Sequence, residues 1–398
     1  LDNPGSCHRP DRPTAASPLQ DRDRQPVVWA VMGYRAGENS QILALAEALG
    51  EGFASKRLTY TRYGVITNLL RRIGNGAFDP QRSTPLTPPW PDLVVSAGLR
   101  NESSCRWIRQ QSKGKTRLVQ IGRPWAALKH FDLVITTPQY RLPERHNVLQ
   151  NHTTLHRVTD ARLEQAGTEY AARLEHLPRP YTAVIIGGNS GPYTFGPRAA
   201  ARLCREANAL ALETGGSLLV TTSSRTPGAA ADVLESAITA PAEFFRWRPD
   251  SAENPYFAFL DLADRIIVTG DSIAMLSEAC STHKPVYIFD PGSGGNPMRG
   301  NTERNADSPP GEREDVRLSA LFYRLLMKFG PRRLSRDLRL VHLWLIENQY
   351  AVWLGQPFPS GRPPPLRDID RAVARVKALL GPGNTGRNAR RWLPKATR

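Results

Sequence analysis

Four polar loops, each placed directly after an apolar run, hold the residues whose types and spacing suit chemistry on a phosphorylated ligand. The sharpest is Gly270-Asp271-Ser272, between the apolar run Arg265–Thr269 and a helical pattern over 273–282 with Ser272 as its N-cap. A helix start presents free N–H groups and a positive dipole end, which receive phosphate. Glu278 follows Ser272 by close to two helical turns, where its carboxylate can accept hydrogen bonds from paired ribose hydroxyls; the alternative is a surface glutamate on an ordinary helix. The run Gly187-Gly188-Asn189-Ser190-Gly191 offers a backbone nest for phosphate, or a plain flexible connection. Thr221-Thr222-Ser223-Ser224-Arg225-Thr226-Pro227 combines hydroxyls with a guanidinium that can bond a diphosphate bidentately, or caps a helix. The fourth loop, Gly33 to Gln41, lets the backbone approach a ligand and adds Arg35, Glu38 and Gln41 as polar contacts. None of the four reads GxGxxG or GxxxxGK[ST], so neither a dinucleotide fingerprint nor a P-loop is supported.

Such loops need a scaffold that lines them up. Apolar runs at 27–32, 93–97, 117–121, 131–136, 183–186, 217–221, 265–269 and 286–289 predict buried parallel strands. Helical patterns at 41–49, 163–177, 198–213, 273–282, 318–329, 335–353 and 368–380 alternate with them or follow them, which is the signature of βαβ units. The expected fold class is α/β, with two Rossmann-like domains facing a cleft and C-terminal bracing helices. Pro178-Arg179-Pro180 stops a helix and marks the boundary between an N-terminal Rossmann-like domain (26–178) and a C-terminal Rossmann-like domain (179–312) that holds three of the four loops. Residues 313–380 read as bracing helices, 1–25 as a disordered leader and 381–398 as a basic disordered tail. Loops are expected at 74–91, 291–311 and 358–365.

Composition narrows the function classes. A length of 398 residues allows two cores. No apolar run reaches 18 residues, so no membrane-spanning helix is expected. The four cysteines, Cys7, Cys105, Cys204 and Cys280, lack metal spacing and suggest reduced thiols in the cytoplasm; no metal site is expected. The net charge of +16 comes from 53 basic residues, of which eight are lysines. Clusters at Arg332, Arg333, Arg336 and Arg339 and in the tail (Arg387, Arg390, Arg391, Lys395, Arg398) suit a solvated basic face or an anionic membrane surface. No nucleic-acid partner is expected, because no helix-turn-helix, RNP or zinc-finger signature is present. The expected location is cytoplasmic, with peripheral association at the inner membrane.

The run Ile267-Val268-Thr269-Gly270-Asp271-Ser272-Ile273-Ala274-Met275-Leu276-Ser277-Glu278-Ala279-Cys280, followed by Lys284-Pro285-Val286-Tyr287-Ile288-Phe289, resembles the signature of the mitochondrial-fission ELM-type family. Many bacterial members of that family are labelled predicted nucleoside-diphosphate-sugar epimerases. The resemblance extends to Arg35-Ala36-Gly37 with Gln41, Pro91 to Gly98, Phe131 to Val134, Ile186-Gly187-Gly188, Thr221-Thr222-Ser223, Arg225-Thr226-Pro227 and Asn254-Pro255-Tyr256. Where the family has Ser-Arg-Arg-Thr-Pro, this chain has Ser223-Ser224-Arg225-Thr226-Pro227, one arginine short, which weakens the phosphate role of that loop. The signature is also similar to the donor half of GT-B glycosyltransferases.

That likeness implies a nucleotide-sugar substrate and no separate cofactor. It implies Glu278 on ribose, Gly270, Asp271, Ser272 and Met275 around the diphosphate or sugar, and Gly187, Gly188, Asn189, Thr222, Ser223 and Arg225 on the phosphate side. Asn254 and Tyr256 would border the base or the hinge. On the opposite domain Gly33, Arg35, Gly37, Gln41, Gly98 and Arg100 would meet the acceptor. Glu38 is the candidate general base, with Glu102 and His130 as alternatives. The expected activity is an inverting, metal-independent glycosyl transfer to an envelope or lipid-linked glycan. The alternatives are a non-catalytic adaptor that recruits a protein partner and a nucleotide-sugar epimerase; no Tyr-x-x-x-Lys pair supports the last.

Overall fold

The computed structural model describes residues 25–50, 52–60, 78–251, 253–292, 297–299, 315, 317–330, 335–361 and 363–381. The expected leader (apart from Gln25), the tail from 382, most of the 291–311 loop, Cys7, Arg332 and Arg333 lie outside the described residues.

Two six-stranded parallel sheets organise the chain. The first contains β1 (Val28–Met32), β2 (Phe53–Arg57), β3 (Leu93–Ala97), β4 (Arg117–Ile121), β5 (Leu133–Thr136) and β6 (Val148–Gln150), in the order β2-β1-β3-β4-β5-β6. The second contains β7 (Tyr181–Ile185), β8 (Ser217–Thr221), β9 (Ala242–Phe245), β10 (Arg265–Thr269), β11 (Val286–Phe289) and β12 (Val352–Trp353), in the order β12-β11-β10-β7-β8-β9. The helices are α1 (Ala36–Ala48), α2 (Glu102–Gln111), α3 (Asp160–Tyr170), α4 (Pro197–Glu213), α5 (Gly228–Ala237), α6 (Tyr256–Leu262), α7 (Ile273–Cys280), α8 (Leu318–Phe329), α9 (Arg339–Glu347) and α10 (Asp368–Leu380).

Alternate strand residues point to opposite faces, and helices cover both. On the first sheet Val28, Ala30 and Val95 pack with Ile42 and Leu45 of α1 and Ala372 and Val376 of α10. Trp29, Val31 and Val94 face Cys105 and Ile108 of α2 on the other side. On the second sheet Ala183, Ile266 and Val268 meet Ile273 and Leu276 of α7 and Val341 and Leu345 of α9. Val184 and Ile267 face Leu203 and Ala207 of α4. The C-terminal helices are thus divided, α9 on the second sheet and α10 on the first.

The chain crosses between the sheets twice, and the crossings are clamped together. Asp368, at the start of α10, accepts the N–H of His152 (3.1 Å) and of Thr153 (2.7 Å) and the Thr153 hydroxyl (2.8 Å). Ser277 of α7 accepts the Thr154 N–H (3.1 Å) and hydroxyl (3.0 Å) while donating to the Ile273 carbonyl (2.7 Å). His152 stacks on Trp344 with ring centroids 4.2 Å apart. Ser277→Ala would leave a buried N–H without its acceptor, so urea denaturation is expected to show a loss of about 1–2 kcal/mol.

Three expectations need correction. The helix expected over 335–353 spans only Arg339–Glu347. Asn348 ends it, Gln349 adopts a left-handed conformation (φ 63°), and the chain turns into β12. The helix expected over 163–177 begins at Asp160, where the Thr159 side chain caps the Arg162 N–H, and tightens into a 3₁₀ turn over Ala171–Leu174. The helix expected from 41 begins at Ala36. Among the described residues no helix is long and apolar enough to cross a membrane, and Cys105, Cys204 and Cys280 are buried free thiols.

Candidate functional site

Open parallel sheets form ligand crevices where neighbouring strands send their connections to opposite sides. That reversal falls between β1 and β3 in the first sheet and between β7 and β10 in the second. Three of the four loops singled out in the sequence follow these strands, and the fourth follows β8, next to β7.

In the second sheet the 187–191 and 223–227 loops are tied into one unit. The Ser223 and Thr226 hydroxyls both donate to the Gly187 carbonyl, and Asn189 N–H donates to the Arg225 carbonyl (3.1 Å). The approach is close enough that a Cβ on Gly188 would lie 2.2 Å from that carbonyl oxygen, at φ +133°. Only glycine fits there. The Asn189 side chain accepts the Phe195 N–H (3.0 Å), which shapes the loop. The Thr222 hydroxyl is buried and accepts the Trp247 N–H (2.9 Å), so it faces the fold and not the crevice.

Gly270, Asp271 and Ser272 divide their work. Gly270 is enclosed: its N–H donates to the Phe289 carbonyl (2.8 Å), and its carbonyl meets His342 Nε2 (2.8 Å). His342 is fully buried, and burial pushes its pKa down to about 4, so the imidazole is neutral and Nε2 carries the proton toward Gly270. The Asp271 side chain has no exposure and turns under Gly187, 2.8 Å from Arg225 Nη1. Its oxygens accept no aligned hydrogen bond among the described residues, so the pair is held by charge. A carboxylate in this place positions the arginine. It would repel a diphosphate if it met one directly. Arg225 keeps 37% of its side chain exposed. Ser272 starts α7 without a side-chain cap, which leaves the leading N–H groups of the helix available to an anion. Met275 sits one turn in and packs against the core.

Glu278 lies further along α7 and is nearly buried. Its Oε2 accepts the Tyr256 hydroxyl at 2.5 Å, while the Asn254 side chain accepts the Tyr256 N–H (3.1 Å). The three residues named for the ribose and base side are therefore brought together. Burial raises the Glu278 pKa to about 7, against the pull of the Tyr256 hydrogen bond, and raises that of Tyr256 well above its ordinary value.

On the first sheet Gly33 exchanges two hydrogen bonds with the Asn39 side chain (3.0 and 2.9 Å), which folds the loop onto α1. Gln41 donates to the Gly37 carbonyl (3.2 Å), and Arg100 covers the Tyr34 ring (4.4 Å). Glu38 pairs with Arg35 (3.2 Å) and lies across Gly98, where a Cβ would strike its carboxylate and φ is +77°. Burial raises the Glu38 pKa, while Arg35, Arg336 and Arg100 pull it back.

Arg336 departs from the solvated basic face expected of its cluster: its Nη2 donates to the Ser190 hydroxyl (2.6 Å) while its charge acts on Glu38. It therefore links the two crevices across the cleft. Its neighbours hold it there: Ser335 accepts from Arg123 (2.6 Å), and Asp337 pairs with Arg141 (2.6 Å) and Arg339 (3.0 Å). No local pattern marks such a residue, because Ser190 is 146 positions away.

The alternative bases are set aside, Glu102 by its partners and His130 by its place. Glu102 is buried and accepts the N–H groups of Trp125 (2.6 Å) and Ala126 (2.8 Å). His130 precedes β5, at the amino ends of the strands and so on the opposite edge from the crevices. Trp344 is stacked between His152 and Tyr350.

Two parallel sheets whose crevices face each other define a two-domain α/β protein of the GT-B arrangement. The chain belongs to the mitochondrial fission ELM1 family, whose model it matches over residues 36–303. It is 29% identical over 220 residues to the mitochondrial fission protein ELM1 of Arabidopsis thaliana, covering 50% of this chain and 51% of that one. It thus spans about half the length of that relative. It is 24% identical over 297 residues to the uncharacterized protein RP120 of Rickettsia prowazekii (strain Madrid E), covering 66% of this chain and 83% of that one. Among solved structures it is similar to S. aureus MnaA with UDP, at 12% identity and a TM-score of 0.43, covering 89% of this chain and 97% of that one.

Proposed function

We propose that this protein binds a nucleoside-diphosphate sugar in the second-sheet crevice and transfers the sugar, with inversion and without a metal, to an acceptor held by the first. The carrying observation is that an uncapped helix start, an arginine held by a buried aspartate and a carboxylate paired with Tyr256 all flank the reversal between β7 and β10. In this reading the α7 N–H groups and Arg225 take the diphosphate. Glu278, with Tyr256 and Asn254, takes the nucleoside. The acceptor oxygen would attack the anomeric carbon as the bond to the diphosphate breaks, with the acceptor proton passing to Glu38. The charge left on the departing diphosphate would be met by Arg225 and the helix start. The acceptor proposed is an envelope or lipid-linked glycan.

Titration with UDP, GDP, CMP and ADP and their sugars, read by thermal shift, tests the reading, because a ligand that binds the folded state raises its melting point. One nucleotide is expected to bind, and Glu278→Ala to weaken it about tenfold or more by removing hydrogen bonds to a charged group. Glu38→Gln is expected to keep binding and lose transfer. No shift with any of them at millimolar concentration would sink the proposal. Binding without transfer would favour the adaptor role, and inversion of one sugar carbon without acceptor would favour an epimerase.

A further inference from the structure

Helix α8 has an outward face unlike the rest of the surface. Leu318, Leu321, Phe322, Leu325 and Phe329 are all exposed, Leu318 at 84% and Phe329 at 76%. At about 100° per residue these five side chains fall within an arc of about 100°. They form one continuous apolar stripe, and a contiguous apolar patch of this kind marks an interaction surface.

The opposite face of α8 is already committed. Ala320 is buried, Tyr323 lies against Gly191, and Arg324 Nε donates to the Pro192 carbonyl (3.1 Å). Arg317 Nη2 donates to the Gly191 carbonyl (2.9 Å). The helix is therefore seated on the glycine-rich loop of the second crevice, with its apolar stripe turned outward.

Charge selects the occupant. From Arg317 to Arg336 the sequence contains six cations and no Asp or Glu. Arg317, Arg324 and Arg336 donate inward. Lys328 is exposed at the edge of the stripe, and Arg332 and Arg333 follow in sequence. Two copies meeting stripe to stripe would bring their cations together. An anionic bilayer takes both parts, the apolar side chains at the acyl boundary and the cations among the headgroups.

We propose that α8 is the docking surface of this protein for an anionic phospholipid membrane, a role that does not depend on the nucleotide reading. The full chain should sediment with phosphatidylcholine vesicles containing phosphatidylglycerol and not with phosphatidylcholine alone. Phe322→Ser/Phe329→Ser should reduce that binding about tenfold with an unchanged melting point, since both rings are exposed. Lys328→Glu and high salt should each weaken it. A Phe329→Trp reporter should shift its emission to the blue on the anionic vesicles. Absence of binding to either vesicle, or equal binding by the double variant, overturns the proposal. A dimer that becomes a monomer in the double variant, with vesicle binding unchanged, assigns the stripe to a second copy instead.

Discussion

Arg225→Ala is expected to destabilise the protein by about 2–3 kcal/mol, and adding Asp271→Asn to return most of that loss. The Asp271 carboxylate has no exposure and stands 2.8 Å from the arginine. Removing a partner from a buried ion pair strands the other charge, which costs about 3–5 kcal/mol when both are enclosed. Arg225 is 37% exposed, so water relieves part of the penalty, and the lower figure applies. Asparagine carries no charge to strand, so the double variant should recover in urea denaturation. Nucleotide affinity should stay low in both, because the guanidinium is gone from each. Equal stability losses in the single and double variants would refute the coupling.

Glu278→Gln is expected to stabilise the free protein at alkaline pH by about 3 kcal/mol and to have little effect near pH 4. The folded-state pKa is raised from 4.5 to about 7. Below the unfolded value both states hold the proton, and the side chain adds no pH-dependent penalty. Between the two values the unfolded chain has released a proton that the folded protein retains, so wild-type stability falls as pH rises. Above about 7 the full cost of burying the charge persists, and a rise from 4.5 to about 7 corresponds to about 3 kcal/mol. Glutamine escapes this cost and can still accept the Tyr256 hydroxyl. Melting curves across this range check it, and a pH-independent difference between the two proteins would contradict it. The same ionisation bears on binding. A ribose donating to Glu278 favours the carboxylate, so affinity should increase through neutral pH in the wild type and stay flat in the variant.

The interior strands were readable and the borders were not. β3, β4, β8, β10 and β11 have the bounds that their apolar runs predict. The strands outside the predicted apolar runs are β2, β6, β9 and β12, which are the four edges of the two sheets. An edge strand is covered on fewer sides, so Phe53–Arg57 reads FASKR and lacks the apolar run of a buried one. Position relative to strand ends, the basis for choosing the loops, follows from chain order and survives without coordinates. Side-chain direction does not. Nothing local reveals that Asp271 turns beneath Gly187, or that Arg336 leaves a basic cluster to reach Ser190, because both depend on segments brought close only by packing.

The double crossing between the sheets has a mechanical consequence. One pass, at His152 to Thr154, is pinned by Asp368 on one side and by Ser277 on the other. The returning pass enters α10 at Asp368 itself. Two bodies joined at two neighbouring fixed points retain one easy relative motion, rotation about the line through them, as a door turns on paired pins. Ser277 belongs to the same helix whose first turn would hold the phosphates, so that turn lies close to the axis. The first-sheet loops around Glu38, linked to the far side by Arg336 and flanked by the Arg123–Ser335 and Arg141–Asp337 contacts, lie out along the swing. A bound nucleotide would thus stay nearly still while Glu38 is carried toward it or away.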